Sequence, residues 1–94
     1  MIKIPWIIQE ERKVIDPWLF SLVAEIMNMK GNPKGRFEYA IFKLGKLLMY
    51  YENPNPHYAH RHDIVYAAHH ASEELKRKEM NPYEDCKELE NGSI

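Results

Sequence analysis

The sequence is short of several things at once, and each shortage excludes a class of protein. It has one cysteine, Cys86, in 94 residues, so no intrachain disulfide and no cysteine-built zinc site can form. A lone thiol suits a reducing compartment. Neither charge dominates, with 13 basic side chains against 14 acidic ones. Duplex-binding modules display a basic stripe; the nearest approach here, Lys76-Arg77-Lys78, is enclosed by Glu73, Glu74 and Glu79. No apolar run reaches the ~20 residues of a membrane span. The apolar start, Met1 to Ile8, is too short for a signal peptide and is interrupted by Pro5. The expectation is a cytoplasmic protein that meets neither membrane nor duplex nucleic acid. A glycine-rich phosphate loop and a serine on a strained glycine turn are both missing, so no catalytic nucleophile is assigned and no cofactor is implied.

What is present describes an ordinary globular chain, 45% apolar and 29% charged. A chain of this size buries roughly 60–65% of its unfolded surface, enough for one thin-cored domain over residues 1–94. Such a domain gains stability from self-association or from a ligand.

The apolar periodicity is helical. Asp16-Pro17 supplies an N-cap and a proline at the first helical position. Leu19, Leu22, Val23, Ile26 and Met29 follow at helical spacing, which predicts a helix over 17–29 before Gly31 and Pro33 break it. Phe37, Ile41, Leu44, Leu48 and Tyr51 form a heptad-like seam on a second helix over 36–51. Gly45 on that helix is expected to admit a close neighbour. Asn53-Pro54-Asn55-Pro56 ends it. A third helix over 58–79 carries a narrow line of Ile64, Ala68, Ala71 and Leu75, and Asn81-Pro82 opens a short fourth over 82–90. The expected fold is all-α, a small three- to four-helix bundle with an apolar N-terminal arm over 1–15. Ile2, Ile4, Trp6, Ile7 and Ile8 of that arm exceed what a thin bundle can cover, so a homo-oligomer is expected.

The chemistry-bearing residues crowd the third helix. His57, His60, His62, Asp63, His69 and His70 lie close in sequence, and such residues build zinc and other divalent sites. On a helix they fall into two lines. His62, Tyr66, His69 and Glu73 face away from the apolar residues, where i,i+4 pairing in solvent accounts for them. Asp63, His70, Glu74 and Arg77 lie about 100° from the centre of the apolar line, at a boundary where groups must be paired. Two readings stay open for this second line. One is a ladder of ion pairs. The other is a ligand or metal site in which Arg77 meets an anion, completed by Tyr83, Glu84 and Asp85.

Three resemblances bear on function. His62-Asp63 is similar to the signature of histidine–aspartate phosphohydrolases, which spread their metal ligands over several helices of a longer chain. Glu73-Glu74 and Glu84-Asp85 resemble the Mg²⁺ carboxylates of all-α nucleoside-triphosphate pyrophosphatases, with only Glu10-Glu11 to serve as the matching pair. The widest resemblance is to a family of short uncharacterised proteins from bacteria and their phages, which end Pro-Tyr-Glu-Asp-x-Lys-x-x-Glu-Asn-Gly. That pattern falls on Pro82, Tyr83, Glu84, Asp85, Lys87, Glu90, Asn91 and Gly92. Trp6, Ile7, Gln9, Glu10, Arg12, Asp16 and Pro17 also fit, as do Gly35, Tyr39, Ile41, Leu44, Asp63, Ala71, Glu74 and Arg77. Glu38, Ser93, His69 and His70 depart from it. The resemblance implies a phage or prophage setting and no established activity. The expected function is a non-enzymatic helical protein that self-associates and binds a host partner or a small anionic ligand, such as a nucleotide, in a role against host defence. The alternatives are a metal-dependent phosphohydrolase acting on nucleotides through Asp63, His70 and Glu74, and a purely structural or regulatory subunit.

Overall fold

The computed structural model describes residues 7–51 and 53–92. They are all-α, in the order α1 (Gln9–Asn28), α2 (Pro33–Tyr50), α3 (Tyr58–Leu75), a π-helical turn (Lys76–Met80) and α4 (Asn81–Asn91). No strand occurs among the described residues, and no helix there is long and apolar enough to cross a membrane. The chain divides within α2 into two compact units, residues 1–39 and 40–94.

In the first unit, α1 begins a full two turns before the expected Asp16-Pro17 start. Residues 9–15, assigned from sequence to an arm, are helical; the rest of that assignment, residues 1–6, lies outside the described residues. The Glu11 carboxylate accepts a hydrogen bond from the Ile8 backbone N–H at 3.2 Å, half of a capping box, and Glu10 and Glu11 suit the positive end of the helix. Pro17 therefore lies inside α1 and withholds one N–H from the Lys13 carbonyl instead of opening the helix. The next helix starts on a signal of the same kind: the Asn32 side chain accepts from the Lys34 N–H at 3.0 Å, and Pro33 takes the first position. Arg36 ties the two helices together. It donates to the Ile26 carbonyl at 2.7 Å and to the Lys30 carbonyl, satisfying acceptors that the end of α1 leaves open. Gly31 makes the turn at φ +115°, and a Cβ there would meet the Arg36 guanidinium at 2.8 Å.

In the second unit, Gly45 of α2 faces Ile64 of α3. A Cβ built on Gly45 would sit 3.5 Å from the Ile64 Cγ2, an ordinary contact. The neighbour expected at Gly45 is present, yet leaves room for a methyl group. α4 opens at Asn81-Pro82 as expected, but without a break in the chain before it and without a side-chain cap. Leu75, Lys76, Met80 and Asn81 all keep right-handed helical angles. Proline at 82 offers no N–H to Lys78 and would press its ring on that carbonyl. The turn before it widens, so the Asn81 N–H reaches back five residues to the Lys76 carbonyl, the geometry of a π-bulge. α4 ends at Gly92 in the left-handed region, φ +67°.

Among the described residues only Pro56 is buried. Trp18 is 75% exposed, Phe20 73% and Leu89 85%.

Two glycines should answer oppositely to alanine. Gly31→Ala meets both an unsuitable φ and the Arg36 head, and should lower stability by about 1–3 kcal/mol. Gly45→Ala should be neutral or raise stability by up to about 1 kcal/mol, because helix propensity improves without a clash. Thermal melts followed by circular dichroism would check both, and a destabilised Gly45→Ala would contradict the packing described.

Candidate functional site

The corner between α2 and α3 gathers the polar groups of the second unit. An Asx turn starts it, with the Asn53 side chain accepting from the Asn55 N–H at 2.9 Å. The Pro56 carbonyl then accepts from Arg61 Nε at 2.8 Å, and Arg61 Nη1 donates to the Tyr50 hydroxyl at 3.0 Å. The guanidinium also lies over the Tyr50 ring, 5.4 Å from its centroid. Arg61 thus holds the end of α2 and the start of α3 in one grip, with Pro56 beneath it.

His57 caps α3. Its Nδ1 accepts from the His60 backbone N–H at 3.3 Å, answering one of the four donors a helix start leaves open. The two imidazoles meet edge to face, centroids 6.5 Å apart. Both line an open hollow of about 530 Å³ together with Asp63, Leu48, Met49 and Pro56. Chemically, this lining joins apolar side chains with two imidazoles and a carboxylate. It can receive an apolar group and hydrogen-bond a polar one.

Of the Asp63–His70–Glu74–Arg77 line, the structure pairs Glu74 with Arg77, brings the charge of His70 to bear on Glu74 and sets Asp63 apart. Asp63 belongs to the hollow, about 10 Å of helical rise from His70 and about 16 Å from Glu74, far beyond what one metal ion spans. Among the described residues no three His, Cys, Asp or Glu side chains come together to hold a metal ion. Glu74 and Arg77 do meet, in a two-pronged pair: Nε to Oε2 and Nη2 to Oε1, both at 2.9 Å. The hydrogen bond from Arg77 holds the Glu74 carboxyl below its usual range, and the same bond raises the Arg77 guanidinium. Because α4 continues the direction of α3, Tyr83, Glu84 and Asp85 do not fold back onto this line. Tyr83 instead packs under the ammonium of Lys87, 5.8 Å from the ring centroid. On the opposite line, Tyr58, His62 and Tyr66 stack in sequence at 5.9 and 6.2 Å, the i,i+4 pairing expected of a solvated face.

Arg36, Tyr50 and Arg61 carry the best-defined polar contacts and were not among the sequence candidates. A signal existed for two of them: each arginine stands three to five residues after an Asn-Pro or Pro-His helix start, within reach of the loop carbonyls it satisfies.

A family model described as Domain of unknown function (DUF6899) matches residues 4–94, and the chain belongs to that family. No curated protein and no solved structure matches it.

The Glu74–Arg77 pair predicts a pH dependence of definite sign. Since the folded state lowers the Glu74 carboxyl, the pair's contribution is present above its usual 4.5 and is lost as pH falls below it. An acid titration of thermal stability should be shallower below pH 4.5 in Glu74→Gln than in the parent chain; identical acid limbs would show that the pair contributes nothing.

Proposed function

We propose that this is a non-enzymatic helical protein whose core forms between copies, and that its working state is a homo-oligomer with a surface for a further partner or ligand. One observation carries the reading: α1, α2 and α3 are amphipathic or richer in apolar residues than that, yet none has a buried residue. On α1, Val14, Ile15, Trp18, Leu19, Leu22, Val23 and Met27, all exposed, spread over more than half the helix circumference. A helix apolar over so wide an arc belongs in an interior. Burying each large side chain contributes roughly 1.5–3 kcal/mol, so association is strongly favoured. The bundle expected from the sequence is, in this reading, an assembly of several chains.

The anion-binding part of the reading rests on Arg77 and is constrained by Glu74. Within one chain the carboxylate takes the Nε and Nη2 donors of the guanidinium, so an anionic ligand such as a nucleotide would meet the remaining N–H groups, displace the carboxylate or bind at a surface completed by a second copy. The phage or prophage setting and an action on a host factor are further parts of the proposal, supported by the resemblance of the C-terminal motif alone.

Association coupled to folding makes stability depend on concentration. Thermal unfolding of the full chain between about 1 and 100 μM, followed by circular dichroism, should show a midpoint that climbs with concentration. A midpoint that stays constant over that range would count against a core shared between copies.

A further inference from the structure

The joint between α3 and α4 carries two opposed sets of local preferences. The observed backbone is unbroken. Met80 (φ −88°, ψ −47°) and Asn81 (φ −62°, ψ −45°) keep right-handed helical angles, and the Asn81 N–H reaches the Lys76 carbonyl across the widened turn. Lys76, Arg77, Lys78, Glu79 and Met80 are good helix formers, and the two-pronged Glu74–Arg77 pair ties the end of α3 to that turn. From residue 81 onward the side chains favour a break. The residue before a proline is pushed out of the helical region toward extended angles, and Asn81 is that residue. Asn81, Pro82 and Glu84 also stand in the places of an N-cap, a first-position proline and the third-position acid of a capping box. None of that capping chemistry is in use, since α4 has no side-chain cap in the observed conformation.

We infer that this joint is a two-state hinge, at which Asn81 passes between the helical conformation observed and an extended one that lets α4 start on its own cap. The hydrogen bonds nearly balance. Breaking gives up the bond from the Asn81 N–H to the Lys76 carbonyl. In return the Asn81 side chain accepts from the Glu84 N–H, and the Glu84 carboxylate reaches back to the Asn81 N–H. Little else resists the swing: α4 has no buried residue, and among the described residues of its unit it packs on the turn alone. Prolines and π-bulges are both recognised causes of sharp bends in helices, and here one directly follows the other. Hinges work in this way, a few element-terminal residues absorbing the change in backbone angles. The consequence is positional. In the unbroken state Tyr83, Glu84 and Asp85 run on along the α3 axis, and in the broken state they leave it. A partner that grips α4 in one state shifts the balance by its differential affinity. The hinge is internal to one chain and is independent of whether copies associate.

Distances between spin labels test it. In a Cys86→Ser background, Val65→Cys on α3 and Leu89→Cys on α4 carry the labels, at positions that are exposed. The labelled chain is diluted into excess unlabelled chain, so that only distances within one chain are read. An unbroken helix separates the two positions by roughly 36 Å. The parent should show that distance together with a shorter one, from chains broken at Asn81. Asn81→Ala removes the cap and should cut the short-distance fraction about fivefold. Asn81→Ala/Pro82→Ala also restores the missing N–H and should abolish that fraction. The Cα chemical shift of Asn81 gives a reading without labels: it should lie between extended and helical values and become fully helical in Pro82→Ala. A single long distance in the parent, a short one that survives in the double variant, or an Asn81 shift already fully helical in the parent would overturn the hinge.

Discussion

The constraint on which everything else depends is that these helices do not hide their apolar faces within their own units. Local signals are strong enough to build the helices, and two turns between them are well specified. No described side chain of the helices is buried. Marginal stability is a difference between hydrophobic burial and chain entropy, and within its own unit each described helix supplies little of the burial.

Within each unit, arginine does the holding that a core would do elsewhere. Arg36 closes the turn after α1 by donating to the Ile26 and Lys30 carbonyls. Arg61 closes the turn after α2 through the Pro56 carbonyl, the Tyr50 hydroxyl and the face of the Tyr50 ring. The planar fork matters in both places, because one head must reach two acceptors, which an ammonium cannot do with the same geometry.

Much of the secondary structure was legible in the residues, and the exceptions share one cause. Helical spacing from Phe37 to Tyr51 and from Ile64 to Leu75 marked α2 and α3, and Gly92 marked the end of α4. Proline misled at Asp16-Pro17, and at Asn81-Pro82 it marked the start of α4 but not the unbroken helix before it. Asp16-Pro17 and Asn81-Pro82 both read as helix starts, yet Pro17 lies within α1 and Pro82 follows a widened turn, because a single lost hydrogen bond is tolerable where the backbone can adjust around it. Of the candidate site, the boundary line was legible as a candidate ladder of ion pairs, but Glu74 was not singled out as the partner of Arg77. The separation of that pair from Asp63, and from Tyr83, Glu84 and Asp85, was not legible either, since it depends on α4 continuing α3 and on helical rise that face-by-face reasoning ignores. The hollow lined by His57, His60 and Asp63 required the corner to be folded before it could be seen.

The central claim is that the core belongs to the assembly, and amide hydrogen exchange on the full chain at two concentrations tests it most directly. At about 100 μM the amides of α1 and α2 should be protected well beyond isolated-helix values, and dilution toward 1 μM should erase that protection together in both helices, as expected where opening requires dissociation. Strong protection of α1 and α2 that persists unchanged on dilution, in a species of 11.2 kDa, would mean that one copy buries its own core and would contradict the account.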